Sequence, residues 1–163
     1  QRYLRAGVRT YLVSATRFET FDRRPPDMRD RTIVFYDPRE LTAVEVEQGG
    51  KRFVVQPAGD RRWALVEPRG YGLDAQGMSF SATAMTKMRA AEVRDGVDRA
   101  AAGVDHPDAL VLTFQRIEAQ PVTVRIAPQR DGLYRVRRDD RDRTYVIRET
   151  QVRSLTRGFG LEF

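Results

Sequence analysis

Six residues near the middle of the chain, Gly70-Tyr71-Gly72-Leu73-Asp74-Ala75, have the G-x-G-x-x-A spacing of a dinucleotide-binding turn, and Glu92 follows about 20 residues later. Such a turn works by letting backbone N–H groups approach a pyrophosphate at a helix N-terminus. Asp74 stands where that phosphate would sit, and its carboxylate would compete with it. The strands upstream are joined by tight hairpins, whereas a Rossmann unit needs parallel strands and helical crossovers. The glycines therefore read as a loop that ends a sheet segment. His106, the only histidine, lies between Asp105 and Asp108. One imidazole gives at most one metal ligand, and adjacent turn positions diverge, so the cluster reads as a surface turn. Asp139, Asp140 and Asp142 alternate with arginines, as on a solvated hairpin tip. No serine occupies a G-x-S-x-G elbow. The absence of cysteine removes disulfides, thiolate metal sites and cysteine nucleophiles together. The expectation is a chain with no catalytic residue, no metal and no cofactor.

Arginine offers the other chemistry. Pairs recur at Arg23-Arg24, Arg61-Arg62 and Arg137-Arg138, with Trp63 and Tyr134 nearby. Nucleic-acid binding would use arginines on phosphates and aromatic rings for base stacking. Strand alternation turns Trp63 and Tyr134 toward the core, however, and acids lie beside most of the arginines. Arg61, Arg62, Arg135 and Arg137 are the expected interaction surface, with a protein partner as the first reading and nucleic acid, held by arginine-rich strand faces, as the alternative. The net charge is +6, yet Lys51 and Lys87 are the only lysines among 29 basic residues, and 23 acids are interleaved with them. Interleaving gives a mixed surface rather than one basic face.

These residues need a scaffold. A chain of 163 residues with 40% apolar and 32% charged residues is globular in composition and long enough to bury a core. No uncharged apolar run reaches the roughly 18 residues needed to span a bilayer, and no signal-peptide pattern is present. Tyr3–Ala6 and Thr10–Ser14 read as a hairpin around Gly7, followed by a helical turn carrying Phe18 and Phe21 and a proline linker through Pro25-Pro26. Asp37-Pro38-Arg39-Glu40 reads as a capped turn. Val44 and Val46 alternate with Glu45 and Glu47 in a strand over 41–48, closed by Gly49-Gly50. Strands over 51–56 and from Trp63 complete a three-stranded antiparallel meander. The spacing of Met78, Ala82, Met85 and Met88 predicts a helix over 74–90. An irregular stretch through Gly96 and Gly103 leads to four more strands, over 109–116, 122–127, 133–137 and 144–148. A last helix carries Val152, Leu155 and Phe159, with Gly158 as its expected stop. The fold class is α+β, mainly antiparallel: a three-stranded meander, a helix, a four-stranded meander and a C-terminal helix.

Arg9–Phe21 recurs as Arg143–Leu155, with the five large apolar positions, Tyr11, Leu12, Val13, Phe18 and Phe21, kept apolar. This partial internal repeat makes Gln1–Phe21 the expected tail of a preceding copy, with residues 1–28 as tail and linker and 29–163 as one complete module. Four stretches then resemble a bacterial family, domain of unknown function 4340 (DUF4340). They are Met28-Arg29-Asp30-Arg31-Thr32-Ile33 running on to Asp37-Pro38, Trp63-Ala64-Leu65-Val66-Glu67-Pro68, and Gly103-Val104-Asp105-His106-Pro107 with Arg143-Thr144-Tyr145-Val146-Ile147. Members of that family often carry an N-terminal membrane anchor and tandem copies outside the cytoplasm, and some accompany gliding-motility or ABC-transporter components. The resemblance thus implies an extracytoplasmic, membrane-associated scaffold that contacts a partner protein or a neighbouring repeat, with the membrane held by a segment beyond this chain. It supplies no catalytic residues.

Overall fold

A computed structural model describes residues 2–6, 9–13, 29–59, 62–97, 102–129 and 131–161. The chain divides into two units, Gln1–Asp30 and Arg31–Phe163. In the first, β1 (Arg2–Ala6) and β2 (Arg9–Val13) form an antiparallel hairpin with Arg2 opposite Val13 and Ala6 opposite Arg9. The helical turn expected at Phe18 and Phe21, and the proline linker, lie outside the described residues.

In the second unit, alternation of apolar and polar residues sets the strands. These are β3 (Leu41–Gln48), β4 (Lys51–Pro57), β5 (Trp63–Glu67), β6 (Glu92–Arg94), β7 (Leu110–Arg116), β8 (Val122–Pro128), β9 (Leu133–Arg138) and β10 (Thr144–Arg148). The two expected meanders fuse into one eight-stranded antiparallel sheet, ordered β5-β4-β3-β7-β8-β9-β10-β6. The junction is β3 against β7, with Val44 opposite Phe114 and Val46 opposite Leu112. Each of these four side chains is fully buried, and that shared apolar face is what joins the halves. The three-residue β6 was hidden in the irregular stretch after the first helix and pairs with β10. The recurring segment is a strand in both places, paired each time with the strand before it.

Two helices cover one face of the sheet. Helix α1 (Ala75–Met85) starts at Asp74, whose carboxylate accepts the Gly77 N–H at 2.6 Å. It is shorter than the methionine spacing predicts. Thr86 donates its hydroxyl to the Thr83 carbonyl, the Lys87 N–H turns back to Ala84, and residues 88–90 leave the helix to bond Arg31, Ile33 and Val34. Tertiary pairing overrides helical period there, although Met88 still reaches the core. Helix α2 (Glu149–Thr156) runs into a 3-10 turn, Arg157–Phe159. The stop is Gly160, with φ 59°, rather than Gly158. Gly158 has a different task. A Cβ on it would lie 2.2 Å from the Gly77 carbonyl oxygen, so the glycine lets this turn lie directly on the backbone of α1.

The core between helices and sheet holds Val44, Val46, Phe53, Trp63, Met78, Met85, Leu112, Phe114, Tyr145, Leu155 and Phe159. Arg138 also points into this face and is 7% exposed. Its Nη1 donates to the Ile33 carbonyl at 2.6 Å, while Nε and Nη2 hold Asp140, so one guanidinium ties the entering segment to the β9–β10 hairpin. A smaller cluster of Ala102, Val104, Ala109 and Ala127 lies on the opposite face of the sheet.

Candidate functional site

The outward face of α1 is built by the same periodicity that buries Met78, Ala82 and Met85. Gln76, Phe80 and Thr83 fall on the other side, and Lys87 follows just past the helix end. Phe80 is 65% exposed, one of four large hydrophobic side chains left open to solvent among the described residues, together with Phe35, Tyr71 and Ile117. Two bonds fix α1 against the edge strand β5: the Trp63 N–H donates to Ser79 Oγ at 3.1 Å, and Trp63 Nε1 donates to Thr83 Oγ1 at 3.2 Å. The first of these bonds occupies a backbone donor of the edge strand at Trp63.

Two loops complete a groove along this face. In the β4–β5 turn, the Ala58 N–H donates to the Arg62 carbonyl and the Arg62 N–H to the Gly59 carbonyl, both at 2.8 Å, which sets Arg62 beside the helix. Opposite it, the 3-10 turn Pro38–Glu40 is capped by Asp37, whose Oδ1 accepts the Arg39 N–H at 2.9 Å. Arg39, Arg62, Thr83 and Lys87 line a cleft of about 630 Å³ between them. Arg62 and Thr83 are shared with an adjoining, more apolar cleft of about 500 Å³ along Ala75, Ser79 and Phe80. Among the described residues of these linings Asp37 is the single acid, beside the three cations Arg39, Arg62 and Lys87. Among the described residues, the side chains of Arg39, Arg62 and Lys87 make no ion pair.

Several other arginines are engaged in ion pairs. Arg52 gathers Glu45 at 2.7 Å, Glu67 at 2.5 Å and Glu47 at 3.3 Å on the open face of the sheet. Hydrogen bonds from Arg52 and Gln115 hold the Glu45 carboxyl below its usual range. Arg94 pairs with Glu92, and Arg153 with Glu149. The hydrogen bond from Arg138 likewise lowers the Asp140 carboxyl, while burial raises the Tyr134 hydroxyl.

Of the four arginines expected to form an interaction surface, the three that are described do not lie together. Arg61 lies outside the described residues. Arg62 is in the groove, at the β5 edge of the sheet. Arg135 and Arg137 are on β9, with β4, β3, β7 and β8 intervening. The Arg137 guanidinium is only 11% exposed and is spent on the Val97 carbonyl at 2.6 Å, Thr144 Oγ1 at 3.3 Å and Asp142 at 2.8 Å. It latches a loop rather than meeting a partner. Arg135 borders a separate cleft of about 450 Å³ with Arg94 and Gly103. With the Gln129 amide turned to present its oxygen, the Arg135 guanidinium donates to it.

The reading from sequence missed Arg39, Phe80 and Lys87. A signal existed for Phe80, an aromatic two residues off the methionine stripe. Nothing local marked Arg39 and Lys87, because their convergence depends on how three loops meet. The other motifs resolve as geometry. Asp74 occupies the helix N–H that a phosphate would need, and β5 is antiparallel, so the Gly70 loop is not the nucleotide turn of a parallel unit. The Nδ1 of His106 accepts the Asp108 N–H at 3.2 Å inside a turn. Among the described residues, no group of three or more histidine or acidic side chains is arranged to hold a metal ion. None of their helices is long and apolar enough to cross a membrane.

Fold and groove together define an antiparallel α+β domain with helices on one sheet face and a cationic, aromatic-edged groove at one end. The chain belongs to the family described as Domain of unknown function (DUF4340), whose model matches residues 1–107. The matched stretch takes in the β1–β2 hairpin, the β3–β5 meander, α1 and β6, and with them every named residue of the groove. No curated protein and no solved structure matches the chain.

Proposed function

We propose that this chain is a non-enzymatic protein-interaction module of an extracytoplasmic, membrane-associated assembly, and that the α1 groove is its contact surface. The observation that carries the reading is the convergence of Arg39, Arg62 and Lys87, none of them ion-paired within the described residues, beside the exposed ring of Phe80. Exposed arginines beside an aromatic ring are among the side chains from which protein interfaces draw most of their energy, and Lys87 adds charge to them. The arginines of β9, by contrast, are committed within the fold.

Location and contact are tested in the full-length protein in its own cells. The chain has no cysteine, so a single cysteine placed at exposed Phe35 is a clean reporter. An extracytoplasmic module is labelled by a membrane-impermeant maleimide in intact cells; labelling only after lysis would overturn the location. A photo-crosslinker at Gln76 should give a protein adduct in the membrane fraction that Arg62→Glu abolishes. An adduct indifferent to Arg62→Glu, or formed only from Thr123 on the open sheet face, would overturn the contact surface.

A further inference from the structure

We infer that the occupant of the groove is an extended acidic segment of a partner protein with one apolar anchor residue. This rests on the interaction reading above and adds the chemistry of the partner. The groove is sided. Phe80, Ala75 and Ser79 make its apolar end, and Arg62, Arg39 and Lys87 its cationic end. From Gln76 to Lys87 the rise of a helix gives roughly 16 Å, the span of about five residues of extended chain. A ligand matching this pattern places an aromatic or aliphatic side chain on Phe80 and two or three carboxylates within the next few residues.

Charge complementarity selects that ligand. Among the described lining residues Asp37 is the only acid beside Arg39, Arg62 and Lys87, so these side chains together carry net positive charge. Carboxylates suit it because arginine binds them in a planar, two-point geometry and lysine adds a flexible third contact. Addition of the segment as a further strand on β5 is disfavoured, since the Trp63 N–H already serves Ser79. Side-chain recognition in the groove is the mode that remains. A polyanion without an anchor would leave Phe80 exposed. An apolar segment without acids would leave three cations unmatched.

The test is fluorescence anisotropy of labelled short peptides titrated with the whole chain. The probes are an acidic peptide carrying one phenylalanine, the same peptide with alanine for phenylalanine, and a lysine-for-glutamate version. A single-stranded oligonucleotide and anionic phosphatidylglycerol vesicles are titrated at the same salt. Expected is binding of the first peptide that weakens with salt, falls about fivefold in Arg62→Ala and again in Lys87→Ala, and falls about tenfold in Phe80→Ala. Arg135→Ala should bind like the wild type. Arg62→Glu should shift preference toward the lysine peptide. All the substituted positions are exposed apart from the partly covered Arg135, and circular dichroism checks that each variant folds. Equal binding of the acidic and lysine peptides, tighter binding of oligonucleotide or vesicles, or self-association of the chain that depends on Phe80 would each overturn the inference. Crosslinking that follows Arg62→Glu while no acidic peptide binds would leave the interaction module standing and remove only the acidic partner. Peptide binding without groove-dependent crosslinking would do the reverse.

Discussion

Replacing Gly158 by alanine should unseat the C-terminal turn from α1. The added Cβ would lie 2.2 Å from the Gly77 oxygen, 2.5 Å from its carbonyl carbon and 2.7 Å from Met78 Cα. These are backbone atoms, which cannot rotate away. Carbon–oxygen contacts close to about 3.3 Å at the tightest, so the two backbones must part by roughly 1 Å. Overpacking of that kind costs about 1–3 kcal/mol. Separation also strains the bond from the Gly158 N–H to Ser81 Oγ, 3.0 Å long and buried, which adds about 1 kcal/mol. The expected loss is about 3 kcal/mol, or about 9 °C in Tm for a chain of this size. Urea and thermal unfolding followed by circular dichroism measure it, with Gly160→Ala as control. Gly160 has open space around its Cβ but a φ of 59°, so alanine there meets only the left-handed backbone cost of about 1–2 kcal/mol. A Gly158→Ala loss below about 1 kcal/mol, or no larger than that of Gly160→Ala, would refute the close approach.

Other consequences are as direct. Arg138→Ala strips the Ile33 carbonyl and Asp140 of their partner and should cost about 3 kcal/mol in urea unfolding; the figure stays low in the range for broken buried pairs because half-exposed Asp140 can rehydrate. The Asp140 carboxyl is held below its ordinary 3.8 by Arg138, so its contribution is present above that value and disappears as pH falls through the lower folded value. The stability gap between wild type and Asp140→Asn should therefore close below about pH 3.8, and a gap constant from pH 7 to acid would contradict the assignment. The Tyr145 hydroxyl is fully buried and has no hydrogen-bond partner among the described residues. Tyr145→Phe should accordingly leave stability unchanged or raise it by about 1 kcal/mol in thermal melts, whereas a loss of that size would reveal a bond to the hydroxyl.

Most of the fold was legible because its strands carry period-two patterns with strong punctuation. β3 and β10 fall on the expected residues, and the Gly49-Gly50 turn has the positive φ values that its sequence demands. What escaped was non-local. Nothing in 41–48 or 110–116 says that these strands are neighbours, since the pairing is decided by matching buried faces across some 60 residues of chain. The helix end was misplaced because Met88 keeps the apolar period while its backbone bonds to Ile33. Gly158 resembled a helix stop because a glycine near a helix end has two uses, a left-handed cap or a close approach, that sequence spacing does not separate. The groove was the least legible part. Its three cations come from separate loops, and local sequence directed attention instead to Arg135 and Arg137, of which Arg137 is spent on the Val97 carbonyl and Arg135 borders a separate cleft.

The most direct test of the groove is a two-dimensional amide NMR titration of the labelled chain with the acidic, phenylalanine-bearing peptide. The account predicts saturable shifts at Arg39, Arg62, Gln76, Phe80, Thr83 and Lys87, with Arg94, Arg135 and Arg137 unmoved. Shifts centred on Arg94 and Arg135, or none at α1, would contradict it.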